Sequence, residues 1–154
     1  MTPILAGPVK RSIIARIAAL ELADPSDLGD SVQVEATLPP EPERKCVFGG
    51  RTQWVQRDVL AERYAASEQV ISFEVRVRVV QPGDDIDGTE KEAERIVSLV
   101  ASGVLLNPDL TGGRGRIVPS SGTSDPVVVT PSPEPSVTVN LGLTFTVTLS
   151  VVGG

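Results

Sequence analysis

The sequence contains no histidine and only one cysteine, so several common kinds of site chemistry are excluded. Histidine is the most frequent general base and metal ligand, and Ser-His and Cys-His nucleophile pairs both require it. Cys46 cannot form an internal disulfide or build a thiolate zinc site alone. Its neighbours Val47 and Phe48 indicate a small buried apolar residue. We therefore expect no enzymatic activity, catalytic residue, cofactor or metal.

Aromatic residues are also scarce, at 3% of the 154 residues, and the net charge is −6. Few rings are available to stack on single-stranded nucleic acid, and the acidic charge disfavours a DNA-binding surface. No stretch reaches the roughly 20 apolar residues of a membrane span, and no secretion signal is convincing. The sequence therefore predicts one soluble domain, residues 1–154, that is made in the cytoplasm and has no membrane partner.

The most informative pattern lies in residues 136–151, where apolar and polar residues alternate without interruption. Val137, Phe145 and Val151 fall on one face, whereas Thr138 and Asn140 fall on the other. This period of two predicts a strand with one buried face. At about 3.3 Å per residue the strand would span roughly 50 Å, more than a small core requires. We therefore expect part of it to pair with another subunit.

The remaining patterns predict two helices and several strands. Apolar residues at helical spacing predict a helix over residues 8–22. Thr89 followed by Glu92 has the form of a capping box, which predicts a second helix over residues 89–107. Strands are predicted at residues 32–38, 45–49, 70–80 and 114–118, while residues 51–66 fit either a strand or a helical turn. The Ser/Thr/Pro-rich residues 119–135 are interpreted as a long surface loop.

Together these elements predict an α/β (α+β) fold. It consists of a mainly antiparallel sheet, two helices packed on one face, and a long C-terminal strand. The apolar residues of that strand should seat both helices against the sheet.

Two short motifs invite ligand-binding interpretations that the residues do not support. Asp84, Asp85 and Asp87 precede Gly88 as in a calcium loop, but the first ligand position falls on Gly83, which has no side chain. The Gly-Gly-Arg-Gly-Arg stretch at residues 112–116 lacks the Lys-Ser/Thr of a phosphate loop and does not lead into a helix.

A turn that enters a strand explains the arginine stretch, and the same charged residues are also candidates for a contact between subunits or with a partner. Contacts between identical subunits can be heterologous, in which case two different faces of each subunit meet. Separating the acidic residues from the basic ones would suit such faces. The predicted interface residues are Asp84, Asp85, Asp87, Arg114 and Arg116.

Residues 8–152 as a whole resemble the tail terminator (tail completion) proteins of long-tailed bacteriophages, the lambda-like family. The resemblance rests on the order of elements and on four pieces of sequence. These are Cys46-Val47-Phe48-Gly49-Gly50, residues 68–80 with their Ser-Phe-Glu-Val-Arg-Val core, Glu92-Ala93-Glu94-Arg95-Ile96 opening a helix that ends near residues 107–110, and Gly112-Gly113 before a strand. Residues 119–135 depart from the family's simplest pattern.

The resemblance implies a structural virion protein that is assembled in the host cytoplasm and located in the tail or neck. It would form a hexameric ring that caps the tail tube, ends tube polymerisation and joins the tail to the head. The implied partners are further copies of the chain, the tail tube protein and the head–tail connector protein, with DNA only as cargo passing through the lumen. Alternatives are another neck or connector protein, a tail tube subunit or, from a different class, a small metal-binding module or hydrolase.

Overall fold

A computed structural model describes residues 4–27, 30–61, 64–105, 115–131 and 133–152. Within these ranges the side chains of residues 57–61, 64–67, 105, 115–116, 120 and 150–152 are not described. The described residues form two helices and six strands. In chain order these are α1 (Ala6–Ala18), β1 (Gln33–Glu35), β2 (Lys45–Ala61), β3 (Tyr64–Pro82), α2 (Ile86–Leu105), β4 (Gly115–Ser124), β5 (Val128–Thr130) and β6 (Ser136–Val152).

The strands form one sheet in the order β1-β2-β3-β6-β4, and β5 pairs with β6 on the same side as β4. The pairing of β1 with β2 is parallel, and all the other pairings are antiparallel. Both helices pack on one face, which we call the helix face; the opposite side is the open face. The predicted α+β class, the antiparallel sheet and the long C-terminal strand are confirmed.

The core lies between the helix face and the two helices. Phe73 of β3 stands directly opposite Phe145 of β6, and Ile71 stands opposite Val147. All four side chains are fully buried, as are the helix residues packed over them. The predicted inward faces of β3 and β6 are thereby confirmed, although Leu141 and Leu143 are only partly buried. The core residues contributed by the helices include Val9, Ile13 and Ile17 of α1 and Ala93, Ile96, Val100 and Val104 of α2.

The central strands are much longer than the helices that cover them. β3 has 19 residues and would extend about 60 Å, whereas the 20 residues of α2 span about 30 Å. Pairing of β2 with β3 continues to Ala61 and Tyr64, and pairing of β3 with β6 continues to Ala66 and Val152. The helices therefore cover only part of the sheet.

Several predicted boundaries differ from those observed. α1 ends at Ala18 rather than at residue 22, and β4 continues to Ser124. The segment predicted as a loop, residues 119–135, therefore contains the second half of β4 and all of β5. This segment runs alongside β6, because β4 and β5 both pair with that strand and Asp125 donates its backbone N–H to Asn140 O at 3.0 Å. The Asp125 carboxylate also pairs with Arg76. Strand pairing thus replaces the free surface loop.

Thr89 does not cap α2, so the predicted capping box is wrong. The helix begins one turn earlier, at Ile86, and Thr89 is fully buried. Its hydroxyl donates to Asp85 O at 2.7 Å and lies 3.0 Å from Gln81 Oε1. The capping side chain is Asp85, whose Oδ1 accepts the Gly88 backbone N–H at 2.9 Å. Aspartate and threonine are both good capping residues, and in this chain the earlier of the two, Asp85, caps the helix.

Candidate subunit interface

The three acidic residues predicted to lie at an interface occupy the turn before α2 and its first turn, and all three are exposed. Two of them have local roles. Asp85 caps the helix, as described above, and the Asp87 carboxylate lies 2.9 Å from the Lys91 ammonium one turn later. Their participation in a subunit contact stays a prediction.

The cap can be tested by a matched pair of substitutions. We expect Asp85→Ala to lower the free energy of unfolding by about 1 kcal/mol, because the Gly88 N–H loses its side-chain acceptor. The neighbouring Asp84→Ala removes an exposed carboxylate that does not cap the helix, so it should leave urea unfolding unchanged. Equal effects of the two substitutions would contradict the assignment of Asp85 as the cap.

The two predicted interface arginines are less fully defined. Arg114 lies outside the described residues, and Arg116 is described only as backbone within β4. Complementarity between these arginines and the acidic turn therefore stays a prediction. In the described part of the chain, no group of three or more acidic, cysteine or histidine residues is placed to hold a metal ion.

A charged cluster that the sequence does not predict lies beside residues 92–95 of α2. It consists of Asp30, Lys45, Glu92 and Arg95. The Lys45 ammonium contacts Asp30 and lies 3.2 Å from Glu92 Oε1, and Arg95 Nε lies 3.1 Å from the same carboxylate. The Asp30 side chain is only 3% exposed. The cluster ties the segment before β1 to the start of β2 and to α2.

Burial and hydrogen bonds within the cluster shift the pKa values of Asp30 and Lys45. Burial of the Asp30 carboxyl raises its pKa, but the Asp24 backbone N–H and the Lys45 ammonium outweigh burial, so the pKa of Asp30 lies below its ordinary value. Burial lowers the pKa of Lys45, but hydrogen bonds to Asp30 and Glu92 outweigh it, so that pKa lies above its ordinary value. Both charged forms are therefore favoured in the folded protein.

The lowered pKa of Asp30 predicts a pH-dependent contribution to stability. A depressed pKa gives stability that is present above the unfolded-state value of about 3.9 and is lost as pH falls through the folded-state value. We therefore expect the stability difference between the wild type and Asp30→Asn to be largest near neutral pH and to shrink in acid. Urea unfolding measured across the acid range checks this, and a difference that stays constant into strong acid would contradict it.

A groove of about 680 Å³ adjoins this cluster at the end of the sheet. Its walls carry carboxylates and cations together, including Asp30, Glu43, Arg44 and Lys45. Lys45 and Asp30 are already paired with each other within the cluster. The Asp30–Lys45 pair in this wall thus holds the segment before β1 to the start of β2.

The surfaces best suited to contact another subunit are the two edges of the sheet. β1 covers β2 only at Cys46–Phe48, and Gly49 N–H then donates to Ala36 O at 3.1 Å. Beyond this point, no strand within the described residues pairs with the outer side of β2. We call residues 52–55 the β2 edge. On the opposite side β4 is the last strand in the sheet order, and we call residues 116–119 the β4 edge.

The two edges lie at the same level of the sheet. Trp54 stands opposite Ile71, Ile71 opposite Val147, and Val147 opposite Ile117. The next row joins Gln53 to Val118 through Ser72 and Thr146. The edges also expose large apolar side chains: Trp54 is 51% exposed, Val55 56% and Val118 44%. Because Trp54 is on the helix face, its exposure shows that the helices leave this part of β2 uncovered.

Among the described helices, neither combines the length and the apolar character that crossing a membrane requires. A scan against protein-family models and a search of curated proteins both find no match to this chain.

Proposed function

We propose that this chain is a structural virion protein that forms a hexameric ring at the end of a bacteriophage tail tube. In this role the ring ends tube polymerisation and joins the tail to the head connector. The observation that carries the proposal is a pair of sheet edges at one level that no strand among the described residues covers, both of which expose apolar side chains. The resemblance of the element order to tail terminator proteins supplies the biological setting.

An uncovered strand edge presents a row of backbone donors and acceptors to any other strand. Proteins usually protect such edges with charges, prolines, bulges or a covering segment. Here β2 has a bulge between Gly49 and Thr52, and β4 has Pro119. Between these features and the strand ends, Trp54, Val55 and Val118 remain exposed on the two edges. These features limit pairing along part of each edge and leave these residues accessible to another strand.

Two different edges on one subunit support a ring rather than a simple dimer. A contact between unlike surfaces repeats from copy to copy and closes when the rotation between copies divides a full turn. A ring of this kind needs no ligand and no catalytic group. The net charge of −6 further suits a lumen through which DNA passes as cargo without being bound.

The main alternative, a tail tube subunit, predicts a different end state. Tube subunits would stack rings without limit as concentration rises, whereas a terminator should stop at one layer. We expect negative-stain images and light scattering of the concentrated protein to show single rings and no length growth. Filaments or tubes that lengthen with concentration would favour the tube subunit and contradict the terminator proposal.

A further inference from the structure

We infer that the ring is held together by β-sheet pairing between copies, in which the β4 edge of one copy pairs with the β2 edge of the next. This inference deepens the proposed function by naming the contact, and its occupant is a second copy of this chain. It rests on the proposed function only for the choice of a closed ring.

The direction of the strands permits this pairing. Going across the sheet from β2 through β3 and β6 to β4, each neighbour is antiparallel to the last. Three reversals leave β4 antiparallel to β2. When a second copy is placed beside the first with the same face toward the ring axis, its β4 therefore runs antiparallel to the first copy's β2. The sheet then continues across the contact with the same antiparallel pattern that it has inside one subunit.

The rows of the sheet in which the two edges lie determine how the edges of neighbouring copies should align. Residues 52–55 and residues 116–119 occupy the same rows of the sheet. If neighbouring copies are related by rotation without a shift along the strands, Gln53 of one copy stands opposite Val118 of the next. Both residues are exposed, and both lie on the open face, because their row contains Thr146 between the buried Phe145 and Val147.

Pairing at this register would also cover the exposed apolar side chains. Val55 lies on the open face of the β2 edge, and Val118 lies on the same face of the β4 edge. Across an antiparallel contact, such side chains become direct or diagonal neighbours. Trp54 lies on the helix face and would be shielded by the residues of the arriving strand. The contact thus satisfies backbone groups and apolar surface together.

Disulfide trapping tests the contact in the full chain. Directly opposite residues in antiparallel strands have Cα atoms roughly 4.5–5.5 Å apart, within the range that a disulfide can bridge. We expect the double variant Gln53→Cys/Val118→Cys, treated with copper phenanthroline, to give a ladder of covalent oligomers that ends at one closed size. On denaturing gels the crosslinked fraction should exceed that of the controls by about tenfold or more.

The controls separate the proposed contact from others. Each single-cysteine variant alone should remain uncrosslinked, and a mixture of the two should give dimers only, because the contact joins unlike edges. Pairing Val118→Cys with Ser98→Cys, an exposed position on α2, should give no ladder. The native Cys46 should not interfere, since it is fully buried and burial raises the pKa of its thiol.

The outcomes also distinguish this inference from the proposed function. Single rings in negative stain without crosslinking in the double variant would overturn the edge pairing and leave the ring intact. Efficient dimers from either single variant would overturn it as well, because they would show an edge pairing with its own copy. A crosslinked closed ring that ignores tail tubes would support the pairing and contradict the terminator function.

Discussion

We expect Phe145→Ala to lower the free energy of unfolding by about 3–5 kcal/mol, among the largest effects of any single substitution in this protein. Phe145 is fully buried near the centre of β6, opposite Phe73 and on the face against which α2 packs. Truncation removes most of a large apolar side chain and leaves a cavity between rigid elements. Because small domains are stable by only about 5–15 kcal/mol, chemical denaturation should show a large shift of the midpoint.

Leu143→Ala provides the matched control for this substitution. Leu143 lies on the same strand and the same face, two residues away, but is only partly buried. Its truncation should cost less than half as much, because its side chain already contacts water. Phe145→Leu retains a large apolar group, so it should also lower the free energy of unfolding less. It provides a folded variant for measurement. If Leu143→Ala were as costly as Phe145→Ala, the placement of the core between sheet and helices would be wrong.

The second large effect is expected for Lys45→Met. Removing the ammonium leaves the nearly buried Asp30 carboxylate with Arg95, whose Nη2 is 3.7 Å away, as its remaining cation in the cluster. Breaking a buried ion pair on one side typically costs about 3–5 kcal/mol. Because Arg95 and the Asp24 backbone N–H still contact the Asp30 carboxylate, the loss should lie at the lower end of this range. We expect a loss of about 3 kcal/mol in chemical denaturation.

Two further variants show whether this loss comes from the Asp30 carboxylate that has lost its partner. Adding Asp30→Asn to Lys45→Met should restore part of the stability, because no uncompensated carboxylate remains, and a double-mutant cycle measures that coupling. Lys91→Met removes an ammonium whose ion pair with Asp87 is exposed, and it should have no measurable effect. Additive losses from Asp30→Asn and Lys45→Met would contradict the coupling.

The elements that the sequence predicts well are those with one face in the core. The sequence predicts β6 over residues 136–151, and the strand runs from Ser136 to Val152, because its buried face imposes strict alternation. The distal half of β2 could not be predicted from residues 51–66. A bulge between Gly49 and Thr52 shifts the phase of that strand. Beyond it, Trp54 on the helix face and Val55 on the open face are both exposed, so burial imposes no alternation.

The interaction features were harder to predict because they depend on strand order. Nothing local to Val118 or Gln53 indicates that they lie in the same row at opposite sides of one sheet. The charged cluster has the same origin, since Lys45 and Glu92 are 47 positions apart and meet only after folding. The local charge pattern instead predicts an interface role for Asp85, and in the structure this residue caps α2. Sequence periodicity thus predicts the core, whereas edges and clusters follow from the arrangement of the strands.

Negative-stain microscopy of purified tail tubes, with and without the protein, shows whether this chain forms a ring at the end of a tube. We expect a single sixfold ring at one end of each tube, and no further growth of capped tubes when tube subunits are added. Tubes that remain bare and continue to lengthen in the presence of excess protein would contradict it.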